Sequence, residues 1–313
     1  MARYGFLLLL ITSLLGGMAA ARPLHPLAEL AWLRDGIVAT VMLGMSLQLD
    51  LHALWRSLRK PGALLLAVTI SYGVLPSCAW LLSFSLPTGL AAGLQVAAVT
   101  PCTLASAALW TRRAGGNEAL ALLVTVVTNG LCWLLIPGWL YLMMGHSQPL
   151  ALPMSSVMSQ LAGLVVIPLL AGQGAVRHPS IRQWTIRYRR ILGWLAQGGI
   201  LAMVLLGAIR TGLTLRDRGD SVSVVDLGWM LALVVGLHLA MFALGLVAGK
   251  WCGYGPEDCL AIGFSGSQKT LMVGVLLAIL VQASVLPMVA YHCLQLVIDT
   301  VLADHGRRLG GRL

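Results

Sequence analysis

Charge is scarce in this 313-residue chain: charged residues make up 10% of it, where soluble globular domains carry about a quarter. That scarcity excludes a soluble enzyme and a disordered tail. No two cysteines form a C-x-x-C pair, and Cys78, Cys102, Cys132, Cys252, Cys259 and Cys293 lie mostly inside apolar runs. Neither a disulfide framework nor a zinc site is therefore indicated, and the cysteines read as small packing residues. H-E-x-x-H is missing, as is any aspartate pair at catalytic spacing within an apolar run, so a membrane-embedded enzyme has no motif behind it. No linker is long enough to divide the chain, and residues 1–313 read as one domain. What is plentiful is apolar: hydrophobic residues are 58% of the chain and mean hydropathy is +0.86. Apolar runs of roughly 17 to 25 residues follow one another almost without pause, the length of bilayer-crossing helices.

Ten spans are expected, over about Gly5 to Ala21, Ile37 to Leu51, Gly62 to Leu86, Gly89 to Trp110, Ala119 to Met144, Leu150 to Gly174, Ile191 to Ile209, Val224 to Trp251, Cys259 to Leu280 and Ser284 to Leu302. This is an all-α polytopic membrane protein in a lipid bilayer. The net charge of +10 does not point to nucleic acid, because its basic residues sit in short loops between apolar runs. With the N-terminus inside, fifteen Lys and Arg fall on inside segments and five on outside ones. The positive-inside rule then puts both termini in the cytoplasm. Arg3, a leucine-rich stretch and Ala19-Ala20-Ala21 also match a cleavable signal peptide. The length of the run and the even span count favour a retained helix. The short loops and the lack of a long targeting segment suggest a bacterial inner membrane.

Two spans are interrupted by polar and small residues at the depth where they should be most apolar: Thr100-Pro101-Cys102-Thr103-Leu104-Ala105-Ser106 and Gly263-Phe264-Ser265-Gly266-Ser267-Gln268-Lys269-Thr270. Lipid cannot satisfy non-helical backbone, so such segments must be buried in protein or line a wet cavity. Each is fourth of five spans in its half of the chain, residues 1–147 and 148–313. Interrupted helices at matching places in two halves point to a secondary transporter with inverted repeats. Half-helix N-termini at the midplane can hold an anion, and freed carbonyls a cation. Lys269 costs about 2.5 to 3.5 kcal/mol at mid-membrane on insertion scales, so it needs a partner or a use. Two readings stay open. Either it snorkels or replaces a structural cation on carbonyls of the broken fourth span, or it serves substrate or proton coupling, flanked by Gln268 and Thr270.

The string PCTLASAALWTRRAGGNEALALLVTVVTN from Pro101 to Asn129 resembles the bile acid:sodium symporter superfamily, and within it the SBF-like branch. The branch's proline turn, serine, threonine beside a basic residue and Gly-Gly-Asn-Glu are met by Pro101, Ser106, Thr111 and Gly115-Gly116-Asn117-Glu118. GLQVAAVTP, PLLAGQ, GYGPEDCLAI and SQKTLMVGV extend the resemblance along nearly the whole chain. It implies ten helices in two inverted five-helix repeats, a core domain with broken helices four and nine crossing at the midplane, and a panel domain moving against it. It also implies transport of organic anions, often with sodium. The family's sodium positions are only partly kept. Its Ser-Asn pair falls on Ala107 and Ala108, the following Ser and Thr on Ala121 and Thr125, and its Glu, Gln and Asn on Phe264, Gln268 and Lys269. Ser106, Thr125 and Gln268 remain for a sodium ion, too few for the five or six oxygens such a cation takes. The expected substrate and ion residues are Thr103, Ser106, Thr111, Asn117, Thr125, Ser267, Gln268, Lys269 and Thr270. The coupling ion is sodium or a proton, and no other cofactor is implied.

Among the other polar residues, Gln95 either reaches the cavity or bonds a neighbouring helix, and Ser71 packs its hydroxyl against one. His238 and His292 read as packed or helix-bridging. Asp50 reads as a boundary residue, and Asp299 and Asp304 as interface residues paired with loop arginines. Arg112 and Arg113 read as an inside anchor, and Trp55, Trp110 and Trp251 as interfacial belts. The function expected is secondary-active transport of a small organic anion by alternating access. The rival is a non-transporting scaffold or regulator that keeps the carrier fold.

Overall fold

Runs of Leu, Val and Ala with few side-chain partners can satisfy their backbone in lipid only as helices. A computed structural model describes residues 3–49, 61–144, 153–217 and 222–310, and among these the chain is helical with no strand. Asp50, Trp55 and the basic cluster at Arg59 and Lys60 lie outside the described residues. In chain order the helices are α1 (Arg3–Ala19), α2 (Ala21–Glu29), α3 (Ala31–Leu47), α4 (Pro61–Ser83), α5 (Thr88–Val99), α6 (Ser106–Arg113), α7 (Glu118–Met144), α8 (Met154–Ala175), α9 (Pro179–Asp217), α10 (Val224–Trp251), α11 (Pro256–Ser267), α12 (Leu271–Leu280) and α13 (Leu286–Gly310). Among the described residues seven stretches, with α11 and α12 counted as one, are long and apolar enough to cross a membrane. The bent pair α1 and α2 would make an eighth.

The first apolar run ends at Ala19, where α2 turns away by 102°. α2 carries Arg22, Pro23, His25 and Pro26, too polar to continue a span, and lays Ala21 and Ala28 against Ile209 of α9. Arg210 fixes it there, its Nη2 donating to the Ala28 carbonyl at 3.1 Å and to Glu29 at 3.2 Å. The apolar segment Ile191–Ile209 is the middle of a longer helix, because the Arg-, Trp- and Tyr-rich stretch before it offers no breaker between Pro179 and Gly193.

α4 and α8 each contain one π-helical turn, Ile70–Val74 and Ala162–Val166, directly before Leu75-Pro76 and Ile167-Pro168. Proline has no N–H and crowds the carbonyl four residues back, and an extra residue in the turn relieves both problems. The Leu75 N–H accordingly bonds the Ile70 carbonyl rather than that of Ser71. Pro76 has no N–H to give Tyr72. Two carbonyls, Ser71 O and Tyr72 O, are thereby left for side chains.

The helices pack as two groups. α9 gathers α1, α2 and α3, and α3 also packs on α8. In the other group α10 packs on α11 and α13, α5 on α4 and α13, and α7 on α6 and α11. Contacts of α8 with α7 and of α9 with α12 join the groups. From Ala261 to Leu280 every residue of the α11–α12 stretch is buried. Close approach there depends on glycine: a methyl on Gly245 of α10 would lie 2.6 Å from Gly263 Cα and 2.7 Å from its nitrogen. Since backbone cannot swing aside, Gly245→Val should cost about 3 kcal/mol or more, beyond the usual overpacking range. A Cβ on Gly228 of the same helix would meet nothing within 4 Å, so Gly228→Ala should lose no stability. Thermal unfolding of the two variants in detergent checks this.

Candidate functional site

The first break runs from Thr100 to Ala105. Pro101 forces Thr100 into extended geometry (φ −67°, ψ 154°) and ends α5. The second runs from Gln268 to Thr270, extended at both ends (φ −77°, ψ 143° and φ −84°, ψ 127°), after a glycine- and serine-rich end to α11 that holds a helix weakly. The two breaks meet. The Thr270 N–H donates to Pro101 O at 3.0 Å. Gln268 Oε1 accepts from the Thr103 hydroxyl at 2.5 Å and from the Ser106 hydroxyl at 2.8 Å.

Backbone freed by each break is bonded by side chains of the next long helix. From α7, Thr128 Oγ1 accepts the Cys102 N–H at 3.3 Å, Asn129 Nδ2 donates to Cys102 O at 2.9 Å, and the Thr125 hydroxyl donates to Thr103 O at 3.2 Å. From α13, Gln295 takes the Lys269 N–H on Oε1 and gives Nε2 to Lys269 O, both at 2.9 Å. The Tyr291 hydroxyl donates to Ser267 O at 2.8 Å. Buried peptide groups demand such partners, and here each main-chain group named has one.

Lys269 is fully buried and does not snorkel. Its ammonium donates to Ser71 O at 2.7 Å, Ser71 Oγ at 3.2 Å and Thr100 O at 2.9 Å, and stands 5.4 Å from the centre of the Tyr72 ring. Three N–H donors meet three oxygens and an aromatic face, a fitting shell for a desolvated cation. Trp139 Nε1 takes the other carbonyl freed by the π turn, Tyr72 O, at 2.6 Å. One lysine therefore ties α4, the first break and the second break together.

Asp299 corrects its sequence reading. It is fully buried, pairs no loop arginine, and sits 2.8 Å from His238 Nε2 of α10 while its second oxygen accepts from Gln268 Nε2 at 2.5 Å. Hydropathy places it near a span end, but the helix continues to Gly310, which sets Asp299 inside the bundle. Asp304, one turn on, does pair with Arg113, at 2.6 Å.

Of the sequence-derived candidates, Thr103, Ser106, Gln268, Lys269 and Thr270 come together at the junction. Thr125 supports the first break from behind, toward Thr103 O and the Cys102 thiol, so Ser106, Thr125 and Gln268 do not converge on one point. Ser267 turns its hydroxyl back on Gly263 O. Asn117 lies elsewhere, capping α7 through the Leu120 N–H and donating to Asp258 at 2.8 Å. Thr111 is buried in α6 with no partner for its hydroxyl. Gln95 bonds Ser83 across α4 and α5. Among the described residues no group of three or more His, Cys, Asp and Glu could hold a metal. Sequence reasoning misses Thr128, Asn129, Tyr72, Tyr291 and Gln295, and with them the place of Asp299. Their signal is present as polar residues recurring on one helical face, at 125, 128 and 129 and again at 291, 295 and 299.

Two interrupted helices that meet in a polar, buried junction inside a bundle of apolar helices define an integral membrane protein of transporter type. The chain belongs to the SBF-like CPA transporter family, whose model matches residues 5–308. It is 27% identical over 294 residues, 90% of this chain and 84% of the relative, to "Sodium/bile acid cotransporter 7" of Rattus norvegicus. It is also 29% identical to the protein of that name from Xenopus tropicalis, over 67% of this chain and 62% of the relative. Against "Probable sodium/metabolite cotransporter BASS4, chloroplastic" of Arabidopsis thaliana it is 30% identical, over 72% of this chain and 54% of the relative.

Gln295→Ala orphans both the N–H and the C=O of Lys269, whereas Asn129→Ala orphans the Cys102 carbonyl at its break. At about 1 to 3 kcal/mol per buried unpaired group, the first variant should lose about twice as much stability as the second, measured by thermal unfolding in one detergent.

Proposed function

We propose that the protein is a secondary-active carrier of a small organic anion, working by alternating access. The observation that carries this reading is the matched support of the two breaks. Asn129 and Gln295 stand 166 residues apart in the chain, the residues they bond, Cys102 and Lys269, 167 apart, and each support lies on the long helix that follows its break. Such matching is what two five-helix repeats over 1–147 and 148–313 produce. With an odd number of spans per repeat, the second enters the bilayer inverted, giving ten spans in all. The group around α9 acts as the panel and the group holding both breaks as the core, moving as rigid bodies.

Ser106 is the polar residue of the junction that is only half-buried, and it opens α6, next to exposed Ala105. A carboxylate or sulfonate received there meets a hydroxyl and the positive end of the helix dipole. The relatives' names speak of sodium and of bile acid or metabolite. Here Lys269 brings in fixed form the charge that sodium brings elsewhere, and the organic anion is carried without a two-sodium step. The charge bias of the loops supports an inner-membrane orientation with both termini in the cytoplasm.

Thermal stability of the purified protein against taurocholate and a series of mono- and dicarboxylates, in sodium and in potassium, tests the reading. A bound anion should stabilise by about 2.7 kcal/mol at a hundredfold excess over its Kd, equally in both salts, and Ser106→Ala should abolish the shift. A shift that needs sodium would overturn the coupling scheme, and undiminished binding in Lys269→Ala would show that the ammonium is not required. Inertness toward every anion, with a stable protein partner, would favour a scaffold that keeps the carrier fold.

A further inference from the structure

Asp299 and His238 form the single buried carboxylate–imidazole pair among the described residues, and nothing in the support of the broken helices requires either to be ionisable. Both are essentially sealed from solvent, at 0% and 1% exposure. They are nonetheless linked to the half-buried Ser106 by an unbroken series of hydrogen bonds: Ser106 to Thr103 and Gln268, Gln268 Nε2 to Asp299 Oδ2, and Asp299 Oδ1 to His238 Nε2. His238 Nδ1 lies 3.4 Å from Ser267 O. Gln268 is a hub whose acceptor and donor are both bonded to protein, and it is no ion ligand in this arrangement.

The pair's surroundings leave it one charge to balance. Tyr291, on the same helix as Asp299, stacks edge-on against His238 with ring centres 5.9 Å apart and spends its hydroxyl on Ser267 O. His292 of that helix is held by Gln295. Lys269, from the second break, turns its ammonium away to Ser71 and Thr100. On α6, Arg112 is paired with Glu118 and Arg113 with Asp304. α5 and α12, which also pack on α13, carry no ionisable side chain; of the helices packed on α10, α11 carries Glu257, Cys259 and a buried Asp258 that accepts from Asn117, and α4 carries Cys78 and Tyr72, whose ring faces Lys269. α9 touches α13 too, and its Arg210 is engaged with α2. By formal charge the ammonium of Lys269 and the carboxylate of Asp299 cancel at the buried junction. An arriving anion would then leave a net negative charge in a medium that tolerates little.

We propose that the Asp299–His238 pair is a proton-binding site, taking up one proton from water when the site fills, so that a monovalent organic anion and a proton cross together without net charge. The inference rests on the carrier reading for its direction of use, but the site itself does not. On uptake an O–H bond forms on the Asp299 carboxylate, beside the His238 ring that accepts or donates the bond to it, and it breaks on release, water being donor and acceptor. Buried carboxylates and histidines are the groups that hold protons in proton-coupled membrane carriers, and the Gln268 amide, which passes no proton itself, makes the pair sensitive to what occupies the Ser106 hydroxyl.

Infrared difference spectra of the full-length purified protein between pH 5 and pH 8 read the site directly. A titrating carboxylic-acid band is expected in the wild type. It should be lost in Asp299→Asn and displaced in midpoint in His238→Gln, which keeps a polar side chain should the first variant fold poorly. A wild-type spectrum with no titrating buried carboxyl, or a band indifferent to His238→Gln, overturns the proposal. In proteoliposomes containing a pH dye, taurocholate entry should bring internal acidification beyond that of protein-free liposomes, unaffected by membrane potential. Taurocholate entry without acidification sinks the proton site and leaves the carrier standing, whereas a band that titrates in a protein that moves no taurocholate retires the carrier for this anion and keeps the site.

Discussion

Peptide groups that leave a helix inside a bilayer have no water to turn to, and this constraint organises the molecule. Two stretches, Thr100–Ala105 and Gln268–Thr270, abandon helical bonding with every residue but Ala105 buried, and polar residues on α7 and α13 answer them. Thr125, Thr128 and Asn129 serve one break and Tyr291 and Gln295 the other, each set on one face of a long apolar helix. The remaining freed carbonyls, Ser71 and Thr100, go to the one residue that can reach both, Lys269. Without the breaks, these polar side chains would be intolerable where they are. Without the side chains, so would the breaks.

Charge is handled with the same economy. Lys269 gives its hydrogen bonds to neutral oxygens rather than to a carboxylate, and the buried carboxylate of Asp299 is engaged by Gln268 and His238. The two opposite charges therefore share a junction without forming a salt bridge. That separation leaves each of them able to respond to what enters near Ser106, which a closed ion pair would prevent by neutralising both at once.

Much of this is legible in the amino-acid sequence. Long apolar runs can only be helices in lipid, and prolines, glycines and polar residues at depth mark interruptions, so the two breaks and Lys269 stand out. α2 does not, because a nine-residue helix with two prolines looks like a loop to any hydropathy argument. Asp299 misleads for a related reason. Distance from the end of an apolar run is a poor measure of depth when the helix continues for another turn or two. Asn117 and Thr111 match a motif yet cap or pack, since a motif fixes which residues are present and leaves open which way each side chain faces. The partners on α7 and α13 show only as a faint polar stripe, whose purpose emerges once it is known which carbonyls lack a donor.

The ammonium of Lys269 also has an exclusive claim on its carbonyls. A mobile cation and a lysine cannot occupy the same oxygens, since two positive charges about 4 Å apart repel by roughly 4 kcal/mol even at an effective dielectric of 20. A metal ion on Ser71 O and Thr100 O and this lysine are therefore alternatives, and with the lysine in place no acidic or amide ligand is needed beside them. Ala107, Ala108 and Phe264, all buried, stand where they need only pack.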